Sequence, residues 1–312
     1  MLSRLTRART LAPLALSYLV GACASAGSSG SSMAHDHGSM AGTGAATNAA
    51  PIPGVGAANL PADAAGAVAR LNASPRHGEY VTVRLHNDSV RAWVVYPQRA
   101  TRAPVVVVVH EIFGLSSWVR GVADQLAAEG YIAIAPDFLT GYPNEGNPDN
   151  VGMQGAIKQI SQLDVDQVQR RITMAAEYAT GLPSALPQYG VVGFCWGGTI
   201  SFGHAIFAAT QASPQLKVSV VYYGTAPHPA QLVAERVPIL GLFGGNDARV
   251  VATLPPADST LRALGRTHEF NVYPGAGHGF LRQQSDSTGA NLSATRQAWP
   301  RTVAWFKQYL GA

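Results

Sequence analysis

The chain has 312 residues and a net charge of +4, and 47% of its residues are hydrophobic whereas 13% are charged. This length suffices for a sizeable core, and the composition favours a compact globular protein over a disordered chain. The arginines are scattered along the sequence, so the charge gives no indication of nucleic-acid binding. The sequence contains two cysteines, Cys23 and Cys195. No internal disulfide is expected, because Cys23 lies in a segment typical of targeting sequences.

Residues 1–23 have the layout of an export signal. Basic residues come first, followed by the apolar run LAPLALSYLVGA and then by small residues. The apolar run is too short to cross a bilayer. Its end, Val20-Gly21-Ala22-Cys23, resembles a bacterial lipoprotein box, and the neighbouring alanines leave ordinary signal cleavage as the alternative. Both alternatives predict an exported protein, either periplasmic or tethered to the cell envelope by a lipid on Cys23.

Residues 24–77 are rich in Ala, Gly, Ser and Pro and lack sustained apolar periodicity. This composition predicts a flexible tether outside the fold. Within it, the run MAHDHGSM suggests the hypothesis of a metal-handling lipoprotein, since thioether and imidazole groups bind copper and other soft metals. The alternative is a solvated linker in which the histidines occur by chance. The candidate ligands are Met33, His35, Asp36, His37 and Met40.

From residue 78 to residue 312, strand-like and helix-like segments alternate. YVTVRL and RAWVVYP predict a starting hairpin, and PVVVVVHE is a continuous apolar run typical of a strand that is buried on both faces. A helix ending at Gly130, the strand YIAIAPD and one long helix around residues 154–179 follow. The strands YGVVGF, VSVVYYG, PILGLFGG and THEFNVYPG come next, and a helix closes the chain. This order predicts a single α/β domain with an open, mostly parallel sheet covered on both faces.

Four of the predicted strands are followed by residues that are able to react or to bind. In an open α/β sheet such groups gather at the carboxyl ends of the strands. Glu111 follows VVVVVH, Cys195 follows YGVVGF, Asp247 follows GLFGGN and His278 follows VYPGAG. These four residues are therefore the candidates for a common active site.

The segment GFCWGG has the pattern of a nucleophile elbow around Cys195. In such a strand-to-helix turn, side chains at Gly193 and Gly197 would collide. The turn places the sulfur at a helix N-terminus, which favours a thiolate, and it aims the backbone N–H of Trp196 at a developing oxyanion. The alternative is that Cys195 is a small buried hydrophobic residue.

The order Cys195, Asp247, His278 matches the order of nucleophile, acid and histidine in α/β-hydrolases. In this interpretation His278 is the base and Asp247 fixes its tautomer. Taken singly, Asp247 is also compatible with a turn and His278 with an ordinary loop residue. Together and in this order, the three residues predict a catalytic triad.

Several short segments resemble those of the dienelactone hydrolase family, whose members are α/β-hydrolases with a cysteine nucleophile. The resemblance extends from about Gly78 to the C-terminus. It implies that Cys195, Asp247 and His278 form the triad, and that Ile112 and Trp196 supply the N–H groups of the oxyanion hole. The segments that carry it are HEIFGL, GFCWGG, YYG, GGNDARV and YPGAGHGFLR.

The resemblance also implies roles for residues around the triad. Glu111 would contact the thiol and help to deprotonate it, with a structural ion pair as the alternative. Arg282 would bind a substrate carboxylate, for which a guanidinium is well shaped, unless it is an ordinary surface arginine. Phe113 and Tyr222 would line the substrate pocket, with a place in the core as the alternative. Family members that act on chlorocatechol-derived dienelactones carry a second arginine, which GYPNEGNPDNVGMQGAIKQI lacks.

Together these features predict a monomeric hydrolase of small lactones or carboxylic esters that works through a thioester on Cys195. The reaction is expected to need no metal and no organic cofactor. The alternative is an exported binding protein that kept the fold and holds a carboxylate ligand through Arg282 without turnover.

Overall fold

The computed structural model describes residues 59–142, 148–211, 213 and 215–311, with the backbone alone for residues 148–153. The predicted export signal, the candidate lipidation site Cys23 and the run MAHDHGSM lie outside the described residues. No helix among the described residues is both long enough and apolar enough to cross a membrane.

An eight-stranded sheet forms the centre of the domain. Its spatial order is β1-β2-β4-β3-β5-β6-β7-β8. Strands β1 and β2 form the predicted antiparallel hairpin, β2 pairs antiparallel with β4, and every other neighbouring pair is parallel. The predicted α/β class is therefore confirmed. The strands are β1 Gly78–Leu85, β2 Asp88–Val95, β3 Ala103–Val109, β4 Ile132–Asp137, β5 Ala185–Phe194, β6 Leu216–Tyr222, β7 Ile239–Gly244 and β8 His268–Tyr273.

Helices cover both faces of this sheet, and the valine run of β3 shows why. Val106 and Val108 pack into one apolar cluster with residues of α1, α2 and α8, whereas Val105 and Val107 pack into another with residues of α4 and α5. Successive side chains of a strand point to opposite faces, so a strand that is covered on both faces needs an unbroken apolar run. The helices are α1 Ala67–Asn72, α2 Ser117–Ala128, α3 Pro148–Ile160, α4 Val165–Thr180, α5 Trp196–Thr210, α6 Ala248–Val251, α7 Leu254–Ala263 and α8 Ala290–Leu310.

The single long helix predicted around residues 154–179 is wrong, because the structure has two helices there. Helix α3 ends at Ile160, and α4 begins at Val165. Asp164 caps α4 by accepting hydrogen bonds from the backbone N–H groups of Asp166 at 2.8 Å and Gln167 at 3.3 Å. A side chain that satisfies the first N–H groups of a helix starts a new helix at that point.

The predicted tether at residues 24–77 is also wrong in part, because residues 59–77 belong to the folded domain. Leu60 is 3% exposed and joins the core cluster that contains helix α2. Arg76 forms an ion pair with Asp124 of α2 at 2.5 Å, and the Asp124 side chain is 4% exposed. A carboxylate buried to this degree needs its cationic partner, so the segment around Arg76 is an integral part of the domain.

Candidate active site

Cys195 lies at a sharp turn between strand β5 and helix α5. Its backbone angles, φ 57° and ψ −118°, are rare for a residue with a side chain. A Cβ atom on Gly193 would lie 1.8 Å from the carbonyl oxygen of Gly197, and one on Gly197 would lie 2.3 Å from the carbonyl oxygen of His110. Both glycines are therefore required by the close approach of backbone to backbone, and the turn has the geometry of a nucleophile elbow.

The structure brings the three predicted triad residues into one hydrogen-bonded chain. The Cys195 Sγ atom is 3.0 Å from His278 Nε2, and His278 Nδ1 is 2.5 Å from Asp247 Oδ2. Asp247 caps the short helix α6 after strand β7, and His278 lies in the loop after strand β8. Because a carboxylate only accepts hydrogen bonds, His278 Nδ1 carries a proton that it donates to Asp247, and Nε2 faces the sulfur.

Glu111 and Arg282, which were predicted to have separate roles, form an ion pair. Glu111 Oε1 lies 2.7 Å from Arg282 Nε, and the Glu111 side chain is 4% exposed. Burial raises the pKa of the Glu111 carboxyl, while the Arg282 guanidinium acts in the opposite direction. The guanidinium of Arg282 also lies 4.6 Å from the ring centroid of Phe113, a cation–π contact. Glu111, Arg282 and Phe113 thus form one contiguous cluster.

The two predicted oxyanion donors are the backbone N–H group of Trp196, next to Cys195, and that of Ile112, in the loop after strand β3. Trp196 is the first residue of helix α5, so its N–H has no partner within the helix. Ile112 follows Glu111 in the loop after β3. Among the described residues, neither N–H takes part in a backbone–backbone hydrogen bond of a turn, loop or cap.

The YYG segment contributes a different tyrosine from the one predicted to line the pocket. Tyr222 is fully buried, and its hydroxyl group bonds to Thr302 of helix α8 at 2.7 Å, so it belongs to the core. The next residue, Tyr223, packs its ring against His278 with the centroids 5.2 Å apart. Burial raises the pKa of Tyr223 well above its ordinary value, and the nearby Glu111 acts in the same direction. The tyrosine of YYG that contacts the predicted triad is therefore Tyr223, which the sequence analysis missed.

The segment before α1 contacts the loop that carries Arg282. The backbone N–H of Ala64 donates to the carbonyl oxygen of Arg282 at 2.9 Å, and Gln284 Nε2 donates to the carbonyl oxygen of Pro61 at 2.9 Å. The first bond holds the backbone of Arg282, and the second holds the side chain of Gln284. Residues that were predicted to lie in a tether thus hold the loop of the candidate substrate-binding arginine in place.

A surface cavity of about 730 Å³ lies elsewhere, between the β1–β2 turn and helices α4 and α5. Its lining includes His86, Arg170 and Phe207 but none of the triad residues. The described residues also contain no group of three or more His, Cys, Asp or Glu side chains that is arranged to hold a metal ion.

Comparison with known proteins decides the family. The model of the dienelactone hydrolase family matches residues 90–310, which is more than half of the chain. The chain belongs to the dienelactone hydrolase family. A protein of Salmonella typhimurium assigned as a carboxymethylenebutenolidase is 32% identical over 244 residues, which cover 72% of this chain and 84% of that protein. A protein of Methylorubrum extorquens with the same assignment is 31% identical, with 73% and 80% covered.

A solved structure supports the same assignment. The crystal structure of a protein from Klebsiella pneumoniae, assigned as a dienelactone hydrolase, superposes with a TM-score of 0.63 at 29% identity, covering 75% of this chain and 99% of that one. As a dienelactone hydrolase family member, the chain has the α/β-hydrolase fold and is a hydrolase. Nothing in these comparisons favours the alternative of a binding protein without turnover.

Proposed function

We propose that this family member hydrolyses small lactones or carboxylic esters through a thioester on Cys195. The observation that carries the proposal is the unbroken chain from the Cys195 sulfur through His278 to Asp247, with contacts of 3.0 and 2.5 Å. A nucleophile, a base in hydrogen-bond reach and a group that orients the base are the parts that covalent acyl transfer needs.

The reaction has two halves. His278 Nε2 takes the thiol proton as Sγ attacks the substrate carbonyl, and the N–H groups of Ile112 and Trp196 hold the resulting oxyanion. The tetrahedral intermediate collapses to a thioester, and the leaving alkoxide takes the proton from His278. In the second half, His278 removes a proton from water, which attacks the thioester, and the proton then returns to the sulfur. A lactone yields one hydroxy acid, and an ester yields an alcohol and an acid.

Arg282 and Glu111 would adjust this site to acidic substrates. A substrate carboxylate that binds Arg282 competes with Glu111 for the guanidinium. Once Glu111 is released from Arg282, it lies in a buried setting that favours its protonated form. With an acidic substrate, Glu111 would therefore take the thiol proton in place of His278 and later pass it to the leaving alkoxide. The ion pair therefore offers a way to couple carboxylate binding to activation of the nucleophile.

A panel of activated esters and of neutral and acidic lactones tests these assignments. Cys195→Ser and Cys195→Ala are expected to lose turnover. Arg282→Ala is expected to lose activity on acidic substrates selectively. Arg262→Ala is a matched control, because Arg262 is an exposed arginine whose partner, Asp258, lies in helix α7.

Two results together would contradict the proposed activity. One is a wild type that hydrolyses no ester and no lactone. The other is a failure of iodoacetamide to label Cys195 selectively. Equal losses on neutral and acidic substrates in Arg282→Ala would contradict the role of Arg282 alone.

We also propose that the protein is exported and carries a lipid on Cys23, on the strength of residues 1–23. Cell fractionation of the wild type beside Cys23→Ala tests this. The wild type is expected in the membrane fraction and the variant in the soluble fraction. A wild type that remains in the soluble cytoplasmic fraction would contradict export.

A further inference from the structure

His110, which immediately follows strand β3, is fully buried beside the elbow. Its ring lies between two aromatic side chains, with centroid distances of 4.9 Å to Phe138 and 5.7 Å to Trp196. The proposed mechanism assigns no role to this histidine. Its polar atoms nevertheless make two well-defined hydrogen bonds.

These two bonds determine the tautomer of His110. The backbone N–H of Phe138 donates to Nε2 at 3.2 Å, so Nε2 is an acceptor and carries no proton. The proton of the neutral ring is therefore on Nδ1, which donates to the carbonyl oxygen of Glu111 at 2.8 Å. Burial lowers the pKa of His110 to about 4, in agreement with a neutral ring.

The carbonyl that accepts this bond belongs to the same peptide unit as the N–H of Ile112. None of the described peptide bonds is cis, and in a trans peptide the C=O and N–H groups lie in one plane and point in opposite directions. Any group that fixes the Glu111 carbonyl therefore also fixes the direction of the Ile112 N–H. The N–H of Gly114 binds the same oxygen at 3.2 Å, which makes His110 the shorter of two contacts.

We propose that His110 is a positioning residue for the oxyanion hole, because its neutral Nδ1–H group holds the Glu111–Ile112 peptide with the Ile112 N–H directed at the reacting carbonyl. The inference rests on the proposed hydrolysis. His110 itself touches neither the substrate nor the sulfur in this role. It acts through the orientation of a backbone donor.

Two matched substitutions separate the two hydrogen bonds of His110. In His110→Asn, the side-chain amide nitrogen takes the place of Nδ1 and retains the bond to the Glu111 carbonyl. In His110→Gln, the side-chain amide oxygen takes the place of Nε2 and accepts the bond from the Phe138 N–H, while the bond to the Glu111 carbonyl is lost. Both variants lose the aromatic ring, so the difference between them reports on the peptide contact.

The expected result is a split between kcat and KM. Loss of a whole oxyanion donor lowers kcat by about 10²-fold to 10³-fold, so misdirection of one donor in His110→Gln should lower kcat by about 10-fold to 100-fold with little change in KM. His110→Asn should retain most of the wild-type kcat. Alkylation of Cys195 by iodoacetamide forms no oxyanion, so its rate should be the same in both variants and the wild type.

Three outcomes would overturn the role of His110. They are a His110→Gln variant with wild-type kcat, equal losses of kcat in the two variants, and a parallel loss of the Cys195 alkylation rate. Ring ¹⁵N NMR of the wild type adds a readout that is independent of turnover, since a proton on Nε2 at neutral pH also overturns the inference. By contrast, a wild type that hydrolyses no ester or lactone refutes the proposed function itself.

Discussion

Replacing Gly193 by alanine tests whether the elbow sets the position of the nucleophile. The added methyl group would lie 1.8 Å from the Gly197 carbonyl oxygen, whereas ordinary contact begins at 3.4 Å. Strand β5 and the start of helix α5 must therefore move apart by about 1.6 Å, or the backbone at Gly193 must rotate until the methyl group clears the oxygen by the same distance. The φ angle of Gly193 is not positive, so backbone strain does not contribute to this effect.

The same displacement acts on the catalytic contact. The Cys195 sulfur is 3.0 Å from His278 Nε2, and a shift of about 1.6 Å lengthens this distance beyond a hydrogen bond. A misplacement of about 1 Å costs about 10²-fold in rate, so we expect Gly193→Ala to lower kcat/KM by at least about 100-fold. Overpacking of this kind also lowers the free energy of unfolding by about 1–3 kcal/mol.

The assay is hydrolysis of an activated ester, with thermal unfolding measured in parallel. Gly121→Ala is the matched control, because Gly121 lies inside helix α2 and an added methyl group would be 3.9 Å from the closest atom, on Ala67. This control should keep full activity and gain about 0.5–1 kcal/mol of stability. A Gly193→Ala variant that is folded and hydrolyses the ester at the wild-type rate would refute the reasoning.

Three further predictions concern other parts of the domain. Asp247→Asn should lower kcat by at least about 100-fold with the fold intact, because an amide can donate to His278 Nδ1 and stabilise the wrong tautomer; steady-state kinetics and circular dichroism test this. Tyr222→Phe should leave kcat unchanged and lower the free energy of unfolding by about 1 kcal/mol, because its hydroxyl bonds Thr302 in the core; loss of activity at normal stability would restore a pocket role. Burial raises the pKa of Glu235 from 4.5 to about 7. Between these two pH values the Glu235 carboxyl keeps its proton in the folded protein and loses it in the unfolded chain, so the free energy of unfolding should fall as the pH rises from 4.5 to about 7. In Glu235→Gln, this fall in the free energy of unfolding should be smaller by on the order of 2 kcal/mol. Chemical denaturation of wild type and variant at several pH values tests this, and the same pH dependence in both proteins would contradict it.

The strands and the elbow were predictable because their signals are local. Five valines in succession identify a buried strand, and the glycines two residues before and two residues after Cys195 identify the elbow. The order of strand ends then placed Asp247 and His278 beside it. A short segment was sufficient to predict each strand and the elbow, whereas the grouping of Cys195, Asp247 and His278 required the order of three segments along the chain.

The missed features depend on contacts between distant parts of the chain. Which tyrosine of YYG faces His278 depends on the end of strand β6, where Tyr223 has a φ of 39°. The sequence of HEIFGL contains His110, but its tautomer depends on Phe138, which is 28 positions away. The break before α4 was the exception, since Asp164 is a common N-cap residue and offered a local signal.

The ion pair between Arg76 and the buried Asp124 has a practical consequence for fragment design. The family match begins at residue 90 and the first strand at Gly78, so a truncated protein would naturally be started at one of these points. Either cut removes the cation that neutralises Asp124 and strips Leu60 from the core. A fragment for crystallisation or for fusion to a carrier should instead retain both Leu60 and Arg76, so that the core contact and the ion pair with Asp124 are preserved.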